Sequence, residues 1–298
     1  MKEIVFISGK GGTGKTTVSA SFAVLAKNAV IADCDVDASD LHLVLNPIIK
    51  KTEDFFSGYK AFIDKKKCIS CGACLAFCRF DAVKMKSSGE SSNEHSFIID
   101  ELSCEGCGVC VRECPANAIF LNENYCGKIF DSETRFGRMI HASLNPGSGN
   151  SGKLVSVVRR KARELAEING AELIITDGSP GIACPVIASI TGASYLFIVT
   201  EPTISGIHDL KRILSLAEHF KIPCAVCVNK YDINERVAKE IINFVNSTKL
   251  VTYFCRISYD KNATAAQING KTIVEYADSL VSREIKKIWN DIQFYLSN

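Results

Sequence analysis

Glu3-Ile-Val-Phe-Ile-Ser-Gly9-Lys10-Gly11-Gly12-Thr13-Gly14-Lys15-Thr16-Thr17 decides how this chain is read. An apolar, β-branched run leads straight into a glycine-rich loop, and the residues that follow, to about Lys27, read as a helix. This is G-x-x-x-x-G-K-[ST] in the strand–loop–helix setting that the pattern requires. Glycines let the backbone curl until successive N–H groups face phosphate oxygens, and the start of the helix adds its positive end. Gly11, Gly12, Thr13, Gly14, Lys15, Thr16 and Thr17 are therefore the expected phosphate cradle. Lys15 is expected to reach the β- and γ-phosphates, and the Thr16 hydroxyl to sit on Mg²⁺.

Outward from this loop, both ends of the chain alternate strand and helix. Apolar runs occur at Ile4–Ile7, Val30–Ala32, Leu173–Thr176, Leu196–Thr200, Ala225–Val228 and Val251–Ile257, with helical stretches such as Gly206–Phe220 and Ile233–Asn246 between them. Continuous apolar strands separated by helices predict an α/β fold, a doubly wound and mostly parallel sheet covered on both faces. The rhythm stops near residue 50 and is expected to resume with the helix after Asn150. The middle holds short strands (Ala61–Ile63, Phe97–Asp100), cysteine clusters and a polar stretch, Ser87–Ser96. The expected organisation is 1–58 and 127–298 as one domain, with 59–126 inserted as a small α+β domain.

The insertion carries eight of the 14 cysteines. Cys68-Ile-Ser-Cys71-Gly-Ala-Cys74-Leu-Ala-Phe-Cys78 and Cys104-Glu-Gly-Cys107-Gly-Val-Cys110-Val-Arg-Glu-Cys114-Pro115 share the spacing C-x₂-C-x₂-C-x₃-C. That is the bacterial ferredoxin pattern, in which the fourth cysteine ligates the other cluster. The expected sets for two [4Fe–4S] clusters are Cys68, Cys71, Cys74 with Cys114, and Cys104, Cys107, Cys110 with Cys78. Zinc sites usually pair two C-x₂-C units, a poor match to two duplicated four-cysteine runs. Arg79 departs from the pattern, standing where proline follows the fourth cysteine.

Lys10 gives the loop the form Lys-Gly-Gly-x-Gly-Lys-Thr-Thr, which resembles the deviant Walker A of the MinD/ParA branch of P-loop ATPases. That branch also includes the nitrogenase iron protein and the metal-cluster carrier ATPases. The resemblance covers residues 1 to about 50 and about 150 to 298. In the family the first lysine crosses a dimer interface to the partner's nucleotide, so it implies an ATP-dependent homodimer with Lys10 in that role. Ala32-Asp33-Cys34-Asp35-Val36-Asp37 looks like switch I, and by resemblance Asp35 orients the attacking water, with Asp33 and Asp37 nearby. Ile174-Ile-Thr-Asp177-Gly-Ser-Pro-Gly181 looks like Walker B and switch II, which puts Asp177 near magnesium. Val228-Asn229-Lys230-Tyr231-Asp232 matches the family's base-contacting segment, so Asn229 and Asp232 are nucleotide-binding candidates. Asn-Lys-x-Asp also reads guanine in GTPases, which leaves GTP as the alternative to ATP. Cys184, seven residues after Asp177, stands where the nitrogenase iron protein ligates a cluster between subunits. It is thus a candidate bridging thiolate, and a small residue packed beside switch II is the plainer reading.

Cys224 and Cys227 lie three apart on a strand, point to opposite faces and are expected in the core, as are Cys34 and Cys255. With 47 % hydrophobic residues, 23 % charged residues and a net charge of +2, the composition gives no sign of nucleic-acid binding. No secretory leader or membrane-spanning run is visible, which leads to the expectation of a cytoplasmic protein. The final helix places Ile285, Trp289 and Ile292 on one stripe, expected to pack on the sheet rather than on lipid. These features predict an ATPase coupled to electron transfer with a redox client. The alternatives are a cofactor-assembly carrier and, behind it, a positioning ATPase with sensing clusters.

Overall fold

A computed structural model describes residues 1–87 and 95–297. Most of the polar Ser87–Ser96 stretch lies outside the described residues. The chain divides into two compact units, one formed by Met1–Glu53, Lys128–Leu144 and the residues from Ser151 onward, the other by Asp54–Gly127 with Asn145–Asn150.

The strands in chain order are β1 (Lys2–Ile7), β2 (Ala29–Asp33), β3 (Ile48–Ile63), β4 (Val83–Ser87), β5 (His95–Ile99), β6 (Ile119–Thr134), β7 (Gly137–Leu144), β8 (Leu173–Asp177), β9 (Tyr195–Thr200), β10 (Cys224–Asn229) and β11 (Val251–Ile257). One sheet runs β11-β10-β9-β1-β8-β2-β7-β6-β3. The pairs from β11 through to β7 are all parallel. β6 and β7 are joined by Arg135 and Phe136 alone, a link short enough only for an antiparallel pair. The sheet is therefore large and mostly parallel, as the sequence predicts. It resumes with β6 and β7, earlier than the helix after Asn150.

Alternation along β1 explains its unbroken apolar run. Ile4 and Phe6 enter one core cluster with Phe22, Phe197 and Trp289, while Val5 and Ile7 enter the other with Val186, Leu210 and Ile213. Both faces are covered, so no position on the strand is free to be polar. Phe22 stands edge-on to Phe6 at 5.1 Å and to Trp289 at 5.2 Å between ring centroids. Trp289 belongs to helix Leu280–Ser297, whose Ile285, Ile288 and Ile292 are buried beside it, so this stripe packs in the core. Among the described residues no helix is long and apolar enough to cross a membrane.

At the other end of β1, buried Glu3 accepts from Arg159 at 2.8 and 2.7 Å, from Arg163 at 2.7 Å and from Thr176 at 2.9 Å. Burial alone would raise its pKa, but the two guanidiniums hold it below the ordinary value. The network ties helix Ser151–Asn169 to the sheet.

The second unit contains the antiparallel pair β4–β5 and the short helices Ala73–Phe77 and Val109–Arg112. Its core is Ala61, Cys74, Ala82, Val83, Phe97, Cys104 and Ile119. The 16-residue strands β3 and β6 each contribute to both units. The expected borders at 58/59 and 126/127 thus fall inside strands rather than in linkers.

Candidate functional site

Asp177, Asp33 and Asn229 are the last residues of β8, β2 and β10, while Lys15 opens the helix after the β1 loop and Asp35 follows β2. This is where an open parallel sheet offers a ligand crevice. A cavity of about 430 Å³ opens there, lined by Gly11 to Val18, Asp35, Asn229, Lys230, Ser258, Tyr259, Gln267 and Ile285 among others. Gly12 and Gly14 hold φ of 78° and 92°, which lets the loop turn its amides inward. A Cβ on Gly14 would run into the Asn229 side-chain amide. That amide donates to the Thr13 carbonyl at 2.7 Å, and Lys230 Nζ donates to the Gly12 carbonyl at 3.1 Å.

Lys15 is buried, 3.0 Å from Asp177 and 3.5 Å from Asp35. Burial pushes its pKa down, yet Asp177 and then Asp35 outweigh that and raise it, so it stays charged. Its Nζ has ionic neighbours but no well-directed hydrogen bond, and the buried Thr13 hydroxyl has no partner among the described residues. Both groups are thus left for an acceptor in the loop. Asp177 takes hydrogen bonds from Thr16 Oγ1 at 2.8 Å and from Ser19 Oγ at 2.9 Å. Asp33 takes one from Ser39 at 2.6 Å; burial and then the charge on Asp177 lift its pKa to about 7. Burial also lifts Asp35 to about 6, against the pull of Lys15. Three carboxylates around one lysine form a surplus of negative charge suited to a cation.

Lys10 and Asp232 do not line the cavity. Lys10 Nζ sits 2.6 Å from Glu201 and donates to Ser205 Oγ at 3.0 Å. Asp232 Oδ1 accepts the Tyr259 amide at 2.8 Å, so it braces the loop after β11. Ser19, Ser39 and Glu201 escaped the sequence reading. Ser and Glu on helices or strand ends carry no local signal, and Glu201 meets Lys10 only through the fold.

In the second unit the cysteines gather crosswise. Cys68, Cys71, Cys74 and Cys114 line one small cavity with Ile63, Phe97 and Ile119. Cys78, Cys104, Cys107 and Cys110 line another with Phe77, Phe80 and Ile99. Among the described residues no group of three or more Cys, His, Asp or Glu side chains is arranged to hold a single metal ion; each set surrounds a hollow instead. Backbone amides point at sulfur: Ala118 N to Cys114 at 3.3 Å and Ala61 N to Cys104 at 3.5 Å. Burial, then neighbouring thiols, raise Cys74 and Cys110. Burial also works against Cys78, but the amides of Phe80, Ala82 and Val83 prevail and lower it.

The unit repeats itself at an offset of 36 residues (68 to 104, 71 to 107, 74 to 110, 78 to 114). Asp64 N donates to the Ala118 carbonyl at 2.7 Å, and Asp100 N to the Ala82 carbonyl at 2.7 Å. Cys68 N and Cys104 N each donate to the carbonyl of the Asp four residues before, at 3.0 Å. Gly72 and Gly108 have φ of 77° and 76°.

Cys184 is exposed at the start of helix Cys184–Ile190, so it is not packed in the core. Cys34, Cys224, Cys227 and Cys255 are buried. Cys126, also buried, donates its thiol to the Ser57 carbonyl at 3.4 Å.

The model of the CobQ/CobB/MinD/ParA nucleotide binding domain matches residues 4–273. The uncharacterized protein MJ0578 of Methanocaldococcus jannaschii is 31 % identical over 298 residues, 99 % of this chain and 97 % of its own length. MJ0579 of the same organism is 28 % identical, over 93 % and 94 %. Among solved structures, the cell division ATPase MinD of Pyrococcus furiosus superposes with a TM-score of 0.57 at 16 % identity, covering 99 % of both chains. MinD of Pyrococcus horikoshii, solved with Mg-ADP, gives 0.57 at 15 %, over 98 % and 95 %. Loop, sheet order and family match agree, and the chain belongs to the CobQ/CobB/MinD/ParA family of nucleotide-binding P-loop ATPases.

Proposed function

We propose that this chain is an ATP-hydrolysing switch that governs one-electron transfer through two [4Fe–4S] clusters held in its second unit. The observation that carries the reading is the crosswise gathering of two four-cysteine sets in a chain that also holds the nucleotide cavity. The donor set fits such a group: four thiols per hollow, apolar walls and amides aimed at sulfur. Cys68, Cys71, Cys74 and Cys114 would hold one cluster, and Cys78, Cys104, Cys107 and Cys110 the other. When bound, the clusters supply single-electron carriers.

At the nucleotide end, Lys15 leaves Asp177 for the β- and γ-phosphates, and the amides of Gly11 to Thr17 cradle the chain of phosphates. Thr16 and Asp177 fit the magnesium shell, where the ion would neutralise phosphate charge. Asp35, at the cavity wall beside Lys15, is suited to orient the attacking water. Asn229 holds the loop through the Thr13 carbonyl and borders the nucleotide. Lys10, by family resemblance, reaches a second copy's nucleotide once it leaves Glu201, so the working form is a nucleotide-dependent homodimer. The client is a redox protein.

Anaerobic EPR titration with and without Mg-ATP or Mg-ADP tests the coupling. The expected result is a midpoint that moves with nucleotide; ~30 mV for one electron is roughly 0.7 kcal/mol. A preparation that binds ATP but takes up neither iron nor sulfide sinks the reading. Exposed Cys184 supports a second reading, a carrier that hands a cluster to a client. Iron above the about eight atoms of two cubanes, lost in Cys184→Ser, would favour it.

A further inference from the structure

The 36-residue repeat gives two cysteine turns with the same backbone, so differences between them are differences of side chain and cover. Before and within the first turn stand Lys65, Lys66, Lys67 and Ile69; the matching positions of the second are Glu101, Leu102, Ser103 and Glu105. All three lysines are exposed, and none makes an ion pair with another described residue. Asp64, beside them, spends Oδ1 on the Lys66 amide at 2.9 Å. With Asp64 counted, the first turn keeps a net positive charge; the second, with Asp100, Glu101 and Glu105 against Lys60, is net negative.

Cover differs too. Gly106 has φ of 63°, and a Cβ there would run into the Tyr59 carbonyl, because β3 lies against this turn. Lys60 Nζ donates to the Cys104 carbonyl at 2.6 Å from the same strand. The matching residue of the first turn, Ser70, has φ of 54°, a side chain and open exposure. Exposure at the rims is alike, with Ile69 65 % and Leu102 76 % exposed and Cys71 and Cys107 both exposed, so the difference in cover lies at the first cysteine: Cys104 is buried beneath β3, and Cys68 is only half-buried.

We infer that the Lys65–Lys67 turn is the docking surface for an acidic electron-transfer protein, so that electrons enter and leave through the Cys68–Cys71–Cys74–Cys114 end. The inference rests on the cluster reading above. Positive charge around the half-buried Cys68 steers an acidic surface to it, while the Glu101/Glu105 turn repels the same surface and keeps Cys104 buried. The partner thus tells apart two ends that the backbone makes alike.

The test uses the full chain, loaded with iron and sulfide, reduced, and with Mg-ADP filling the phosphate loop so that anions do not bind there. One electron passes from the reduced chain to cobalt(III), giving cobalt(II). The probes are the anion Co(III)–EDTA and the cation tris(phenanthroline)cobalt(III), followed by stopped-flow absorbance. Lys65→Gln/Lys66→Gln/Lys67→Gln should slow the anion about tenfold at low ionic strength, without slowing the cation, and raised salt should erase the difference. Glu101→Gln/Glu105→Gln should change either rate less than twofold. An anion rate unmoved by the lysine variant, or a larger effect of the glutamate variant, overturns the proposal. A second readout does not need the clusters. With lysines reductively ¹³C-methylated, the redox-inert hexacyanochromate(III) should broaden Lys65–Lys67 first, and broadening centred elsewhere overturns it. Iron and sulfide content separates these outcomes from failure of the cluster reading.

Discussion

The phosphate loop and the cysteine unit hold their reactive side chains by opposite means. Around the loop, charge answers charge: Lys15 lies between Asp177 and Asp35, and Lys10 and Lys230 both face Glu201. In the cysteine unit the thiols face hollows walled by Ile63, Phe97 and Ile119 or by Phe77, Phe80 and Ile99. An unpaired buried ion costs several kcal/mol, so the loop must neutralise itself when empty and change partners when filled. Neutral thiols cost little to leave unpartnered, and a group bound in the hollows would add to the cohesion of the apolar core around them. On the proposed reading, one region switches and the other is completed.

The largest effect should come from emptying the hollows. On the cluster reading, removing iron with a chelator is expected to bring hydrogen exchange across 54–127 close to unprotected rates, with the β1, β8 and β9 amides unchanged. Exchange that stays slow would mean that the thiol cavities support themselves, and the contrast would fail. Cys114→Ser should remove iron from the Cys68–Cys71–Cys74 set, and Cys78→Ser from the other, each seen as loss of about half the iron.

Next in size is Lys15→Met. It strands Asp177, Asp35 and Asp33 together, and should cost about 3–5 kcal/mol in urea unfolding of the empty chain. ADP affinity should also fall about 10- to 100-fold by calorimetry. An unfolding midpoint equal to wild type would show that the three acids do not need the lysine.

Acid titration sharpens the same point. Asp33 has its folded pKa raised from 3.8 to about 7, so the native state favours its protonated form. Its contribution to stability is full below about pH 4 and is lost as pH rises toward 7. Urea unfolding of the empty chain from pH 5 to 7.5 should show that loss, and Asp33→Asn should flatten the slope. A slope unchanged in the variant would assign it to other groups.

What the sequence disclosed follows the range over which each feature acts. The loop was legible because Glu3 to Thr17 is one continuous strand–turn–helix unit, and the crosswise cysteine sets because the doubled spacing resembles the bacterial ferredoxin pattern. Of β3 only the end, Ala61–Ile63, was legible: its start, at the sheet edge, reads Ile48-Ile-Lys-Lys-Thr-Glu53, exposed at nearly every position, with charges that guard an edge rather than an apolar alternation. β7 hid for a related reason, since Gly137-Arg-Met-Ile-His-Ala-Ser-Leu144 mixes polar residues that the fold buries, His141 against Ser132 at 2.9 Å. Asp232 has a second task that its motif does not announce. Its motif position points to a base, and its Oδ1 accepts the Tyr259 amide. Glu201 lies 191 residues from Lys10 and had no signal at all.

That last pair gives the smallest expected effect on stability and a test of what self-neutralisation is for. Lys10 and Glu201 are 36 % and 17 % exposed, a partly solvated ion pair worth at most about 0.2–1 kcal/mol. Glu201→Gln should therefore barely move the unfolding midpoint. It does, however, remove the charge that keeps Lys10 on its own subunit, and it frees Lys230, 3.7 Å from the same carboxylate. If Lys10 must leave Glu201 to reach a second copy, the variant should dimerise with Mg-ATP at lower protein concentration than wild type in analytical ultracentrifugation. Dimerisation at equal or higher concentration would mean that Glu201 orients Lys10 for the partner instead of detaining it. The loop's internal pairs would then be scaffolding rather than a resting state.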